Sequence, residues 1–320
     1  MTLKPFVAYR ERLAYIFPGQ GSQYVGMSNR LLQHSAAAQE VYRQADRLLG
    51  YPLSQLCSEG PEDKLNNTYY AQPAIFVTSM AAWATLAESA RQDQFVLPEP
   101  VCMSGHSLGL FSALVAAECL DFETGLRIVQ LRGQVMNEAG ELRPGGMAAI
   151  INLGEDEVEA ICQEASAAGI VGIANNNAPG QIVIAGELEA LAQAMEAAKM
   201  RGAKRVVQLP VSIASHSPLM KEASEHFAAE LDRITYRDPK VPIINTLDGG
   251  LVRSAAEVQE MLRDHICNRV DWVTAVRAMV DAGAAALLEI GPGKVLSGLN
   301  RRIDRDLALF NTDDLLTFEE

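Results

Sequence analysis

"MSGHSLGLFSAL", residues 103–114, decides the fold. Ser107 stands between Gly105 and Gly109, which makes a G-x-S-x-G pattern. An apolar run, "FVLPEPVCM", precedes it, and a helix-like run, "GLFSALVAAECL", follows. That order is a strand, a sharp turn and a helix, the context in which such a serine is a nucleophile. Glycines flank it because a β-carbon would clash in a turn this tight. The amides at the helix N-terminus would stabilise developing negative charge. The plain structural alternative is a serine that caps a helix.

Outward from the turn, strands and helices alternate. "LAYIF" (13–17) reads as a short buried strand running into the loop "PGQGSQ". Apolar spacing and alanine content predict helices over 36–49 and 72–90. Another is expected over 122–139, with Asp121 as its N-cap and Gly140 near its end. "VPIINTL" and "AALLEIG" read as further sheet strands. Alternation of this kind predicts a parallel α/β sheet.

The texture changes from Pro144. "GGMAAIINL" reads as a strand, "EDEVEAICQEASAAG" as a helix, "IVGIANNN" and "QIVIAGE" as strands around the turn "APG". "LEALAQAMEAAKMRG" then reads as a helix and "AKRVVQL" as a strand. This βαββαβ order is the ferredoxin-like pattern. The expected fold class is therefore α/β, an α/β-hydrolase-like parallel-sheet subdomain (1–143 and 210–320) with an inserted ferredoxin-like subdomain (144–209). The tail after about 304, "DRDLALFNTDDLLTFEE", reads as a short acidic appendage.

Composition narrows the function. A chain of 320 residues, 48% hydrophobic, can bury a sizeable core. A formal charge of −13 argues against nucleic acid or an anionic membrane as the main partner. No run of about 18 apolar residues predicts a membrane span, and the N-terminus lacks the apolar core of a signal peptide. The five cysteines are scattered without zinc spacing, so no metal is expected, and reduced thiols suit a cytoplasm.

A serine nucleophile needs a base. Of the five histidines, His34 and His226 fall on predicted surface helices, His106 reads as a packing neighbour of the elbow, and His265 reads as structural, near a helix end. His216, in "LPVSIASHSPLM", sits where a strand gives way to small polar residues and Pro218 starts a helix, a position suited to a site residue. "PGQGSQ" fails the dinucleotide fingerprint because Tyr24 stands at the third glycine position. "GPGK" (291–294) fails the P-loop pattern because Leu288 and Val295 replace the required glycine and Ser/Thr. Arg132, in "VQLRGQVMNEAG", reads either as a solvated helical arginine or as a guanidinium pairing bidentately with a substrate carboxylate. Both readings remain open on the residues alone.

Taken together, "IFPGQGSQYVGM", "TYYAQPAIF", "GHSLG", "LRGQVM", "GGMAAII", "NNNAPGQIVIAG", "PVSIASHSPLM", "NRVDW" and "EIGPGKVLSGL" resemble the malonyl-CoA:acyl carrier protein transacylase family, in order and over about residues 13–303. The resemblance implies Ser107 as the acylated nucleophile and His216 as its base. It implies Gln20 and the backbone N–H of Leu108 as oxyanion-hole elements, and Arg132 as the partner of the malonyl carboxylate. Gln72 and Asn177 match pocket residues, the latter near the histidine, and Ser215 precedes the base. Asn268 matches the position whose backbone carbonyl orients the histidine, giving a dyad without a carboxylate. The implied substrates are malonyl-CoA and the phosphopantetheine thiol of an acyl carrier protein, with no cofactor, in fatty-acid or polyketide synthesis. A hydrolase that clears stalled acyl groups, or a transferase for a substituted malonyl unit, is the alternative. The family's default state is a monomer. Two departures stand out: Leu110 replaces the usual Glu after "GHSLG", and Ser215 replaces a Phe common in malonyl-selective polyketide domains. For an acidic carrier protein, the expected docking groups are Arg201, Lys204 and Arg205, or Lys294, Arg301 and Arg302.

Overall fold

The computed structural model describes residues 8–92 and 96–316. Two sheets organise the chain. The larger runs β11-β10-β1-β2-β7-β8. Its strands are β1 (Leu13–Phe17), β2 (Cys102–Gly105), β7 (Ile243–Ile244), β8 (Leu251–Val252), β10 (Ala286–Glu289) and β11 (Ala308–Asn311). All neighbours are parallel except the β7–β8 pair at one edge. The smaller sheet runs β6-β3-β5-β4-β9, built from β3 (Gly145–Ile151), β4 (Val171–Ala178), β5 (Gln181–Glu187), β6 (Arg205–Gln208) and β9 (Val270–Asp271).

β1 is buried along its whole length, as a central strand covered on both faces must be. It pairs with β2 in the register Phe17↔Gly105, which brings the loop after β1 beside the elbow after β2. The helix Gly109–Ala116 follows that elbow, and the helices Thr68–Gln92 and Phe122–Leu142 pack together behind it. The Asp121 side chain accepts from the Thr124 amide, as an N-cap should. Both long helices exceed the expected 72–90 and 122–139. The first begins at Thr68, and the second runs through Gly140 to Leu142.

The inserted segment is antiparallel among β3, β4, β5 and β6, with the order β6-β3-β5-β4 of a ferredoxin-like unit. The helices Glu155–Ala165 and Leu188–Met200 bury Ile161 and Leu191 against Ile150 and Ile184 on one face of this sheet. Met147 and Val183, on the other face, meet Leu219 and Met220 from the larger unit. β9, a two-residue strand from outside the insert, extends the sheet by pairing parallel to β4.

The tail is no appendage. Residues 308–311 form β11 and pair in register with β10, and the short helix Thr312–Leu315 folds back over the "GPGK" loop. Thr312 Oγ1 accepts from the Gly291 amide at 3.1 Å, and Asp313 accepts from the Gly293 amide at 3.0 Å. Arg30 grips the Asp313 and Leu316 carbonyls. The loop amides that suggest a phosphate cradle are thus taken by the chain's own tail. Residues 317–320 lie outside the described residues.

Candidate active site

The elbow is built by exclusion. A Cβ at Gly105 would lie 2.0 Å from the Gly109 backbone, and one at Gly109 would lie 2.0 Å from the Phe17 carbonyl oxygen. A Cβ at Gly19 would lie 2.2 Å from the His106 carbonyl oxygen. Only glycines let the loop after β1, the elbow and its helix approach this closely. Ser107 itself has φ +50°, a strained conformation for a non-glycine residue. His216 shares it, with φ +57°; of the four non-glycine residues in this region among the described residues, these two line the cleft, and Glu118 and Asn152 do not.

These two residues face each other. Ser107 Oγ lies 2.7 Å from His216 Nε2. His216 Nδ1 faces two backbone carbonyl oxygens, Asn268 at 2.9 Å and His265 at 3.1 Å. Carbonyls only accept, so Nδ1 carries the proton and the Nε2 lone pair points at the serine hydroxyl. The His216 amide donates to the Ile266 carbonyl at 3.0 Å, which ties its backbone to the same segment. No carboxylate is needed to fix this ring. Burial, then the Arg132 charge, push the His216 pKa down to about 3, so the ring is a neutral base.

Arg132, buried to 1% exposure, comes from the middle of the helix Phe122–Leu142. It donates to Gln72 Oε1 at 2.8 Å and to Ser107 Oγ at 3.0 Å, while its Nε has no partner. No carboxylate pairs with it among the described residues. Burial lowers its pKa to about 9. A buried cation without a counter-anion, beside an activated hydroxyl, is a seat for an anionic ligand. Gln72 holds the guanidinium through its Oε1 and points its Nε2 at Met136 Sδ.

The cleft in front of Ser107 has a volume of about 210 Å³, and Gln20, Met136, Met147, Asn175 and Val211 are among its lining residues. Gln20 donates to Thr68 Oγ1 at 3.1 Å. The Leu108 amide, next after the serine and before the helix N-terminus, makes no hydrogen bond among the described residues. Ser215 is buried and lines the cleft. Asn177 also lines it, but its Oδ1 meets His106 Nε2 at 2.8 Å, so the histidine it serves is His106. His106 does pack, against Trp272, but it also lines the cleft. His265 is the missed neighbour. Its ring is fully buried, edge-on to His216 at 5.8 Å, with neither nitrogen hydrogen-bonded. A backbone carbonyl contribution such as His265's has no signature in residue type. Leu110 is fully buried in the core beneath the elbow.

No group of three His, Cys, Asp or Glu among the described residues is placed to hold a metal ion. None of their helices is long and apolar enough to cross a membrane.

A parallel sheet that presents a strained serine, a carbonyl-oriented histidine and a buried arginine in one cleft defines an acyl-transferring serine enzyme. The chain belongs to the acyl transferase domain family, whose model matches residues 14–304. It is 40% identical over 292 residues to the malonyl CoA-acyl carrier protein transacylase of Salmonella typhimurium, covering 91% of this chain and 93% of that one. The Bacillus subtilis protein of the same name is 38% identical, at 96% and 95% coverage. Among solved structures, a type II PKS acyl-carrier protein in complex with its malonyl-transacylase matches with a TM-score of 0.88 and 39% identity, covering 94% of this chain and 96% of that one. An acyl carrier protein S-malonyltransferase from Vibrio cholerae matches with a TM-score of 0.88 and 36% identity, at 96% and 100% coverage.

Proposed function

We propose that this chain transfers a malonyl group from malonyl-CoA to the phosphopantetheine thiol of an acyl carrier protein, through an ester on Ser107. The observation that carries the choice of acyl group is Arg132, a buried guanidinium without a carboxylate partner that already touches the nucleophile. A malonyl unit would supply the missing charge through a charge-assisted pair.

In the first half-reaction His216 Nε2 takes the Ser107 proton as Oγ attacks the thioester carbonyl. The Leu108 amide and the Gln20 loop stabilise the oxyanion; removal of one such donor costs about 10²–10³ in rate elsewhere. The C–S bond breaks, and the proton on Nε2 passes to the coenzyme A thiolate. In the second half, the carrier thiol gives its proton to the same nitrogen and attacks the ester, and Ser107 leaves protonated. Gln72 holds Arg132, and the Asn268 and His265 carbonyls stabilise the imidazolium that forms twice per cycle. Kinetics should be ping-pong, with parallel double-reciprocal lines.

The remaining proposals are coarser. Residues 144–209 act as a small subdomain over a large one made of 1–143 and 210–320, and the protein works as a cytoplasmic monomer without a metal. Of the basic groups suggested for carrier docking, Arg201 pairs with Glu164, Lys294 with Asp314, and Arg302 with Gln181 and the Pro179 carbonyl. That leaves Lys204, Arg205 and Arg301 as the better candidates.

Intact-protein mass spectrometry tests the reading. With malonyl-CoA the protein should gain one malonyl group, absent in Ser107→Ala, and a phosphopantetheinylated carrier protein should then remove it. Release of free malonate without carrier loading would instead favour a hydrolase.

A further inference from the structure

The nearer of the two carbonyls that orient His216 belongs to Asn268, and the chain continues through Arg269 directly into β9. β9 pairs with β4 at only two positions, Asn175↔Val270 and Asn176↔Asp271. β4 in turn carries Asn175 and Asn177, which line the cleft, and Asn177 holds the histidine preceding Ser107. One short seam therefore borders both halves of the dyad.

Two backbone pairs are a weak fastening, and side chains reinforce it. Arg269 Nη2 lies 2.7 Å from Glu155 Oε1 and 3.2 Å from Asp271 Oδ2. Asn176 Nδ2 donates to the other Glu155 oxygen at 3.1 Å, and lies 3.4 Å from Asp271 Oδ1. Glu155 opens the helix Glu155–Ala165 of the inserted unit, while Asp271 caps the helix Trp272–Asp281 of the larger one by accepting from the Thr274 amide. The four side chains close a ring across the boundary. The Arg269 side chain is 30% exposed and that of Asp271 19%, while that of Glu155 is 46% exposed, so the ring is shielded on its Arg269–Asp271 side and open to solvent at Glu155.

We propose that Arg269, braced by Glu155 and Asp271, is a positioning residue: it fixes the Asn268 carbonyl against His216 and ties the inserted unit to the base. The proposal rests on the reading of His216 as the base for Ser107. Misplacement of a catalytic group by about 1 Å can cost 10²-fold in rate, and Asn268 is the residue next to the ring. Neither Arg269 nor Glu155 lines the cleft, so substrate binding is unaffected.

The test compares Arg269→Gln, Glu155→Gln and Arg269→Lys with the wild type. Malonyl transfer is measured per acylatable site, with the acylatable fraction counted by intact mass after prolonged incubation with malonyl-CoA. For the two glutamine variants kcat should fall about tenfold with KM within twofold, and the double variant should lose little more than either single one. Arg269→Lys should recover kcat to within about threefold of wild type. Wild-type kcat in both glutamine variants would overturn the proposal. So would a loss carried by KM, or a Lys variant as impaired as the Gln variant. A wild type that never acylates Ser107 would instead remove the reading beneath it, a result visible before any variant is made.

Discussion

His216 and Arg132 constrain each other through one oxygen. The histidine is pushed down to about 3 first by burial and then by the arginine's charge. Serine acylation should therefore hold its rate from pH 7 to pH 5, well below the unperturbed histidine pKa near 6.5. A malonyl carboxylate on Arg132 offsets that second cause, so the acidic limb of the carrier half-reaction should lie at higher pH than that of acylation at subsaturating malonyl-CoA, where Arg132 is still unpaired. Rapid-quench pH profiles of the two halves check this, and coincident limbs would contradict it. Arg132→Ala should lower kcat/KM for malonyl-CoA by about 3 kcal/mol, on the order of 10²-fold, because it strands the substrate's charge. The same variant should change turnover of acetyl-CoA far less, as steady-state assays with both thioesters would show. Ser107 and His216 were legible as residue types in the right local setting. Arg132 kept two readings on the residues alone, because charge does not say which way a helical side chain points, and only the family resemblance favoured the substrate-binding one.

At the scale of elements, the elbow is the most demanding feature. Gly109→Ala would drive a methyl into the Phe17 carbonyl, so β1 and the elbow would have to separate. The expected loss is about 3 kcal/mol of stability with activity largely gone, measured by urea unfolding and the mass assay. Asp121→Ala, by contrast, removes a single cap and should cost about 1 kcal/mol without touching turnover. β1 and β2 were readable as short apolar runs ending in turns, the mark of strands buried on both faces, and the βαββαβ run as strands alternating with amphipathic helices. β8 and β9 were not, since two residues carry no period. β11 was hidden by the acidic residues around "ALF", which pairing with β10 overrides.

For the molecule as a whole, acid is the expected weakness. Burial depresses the pKa of His216, His265 and His106 in the folded state. Below about pH 6.5 the unfolded chain takes up protons that the folded chain refuses. The stability these neutral rings confer is thus complete above pH 6.5 and is lost as pH falls toward their folded values. Melting temperature should drop between pH 7 and pH 5, and His265→Phe should flatten that drop, since its unpartnered ring nitrogens are gone. Truncation after Asp304 should do more harm than its acidic sequence suggests. It exposes the β10 edge and frees the "GPGK" loop, and the expected result is aggregation seen by size-exclusion chromatography.

The pairing of β1 with β10 also sets an order in time. β1 leaves the ribosome early, meets β2 only after the long helix Thr68–Gln92, and must wait for its other partner near the far end of the chain. The inserted unit needs only strands that emerge close together, and it can gather four of its five before β9 arrives. Contacts local in sequence close first because their loops are shorter. Pulse-labelling hydrogen exchange during refolding should therefore protect β3, β4 and β5 before β1. The unit that interrupts the larger one would then be the first to take shape.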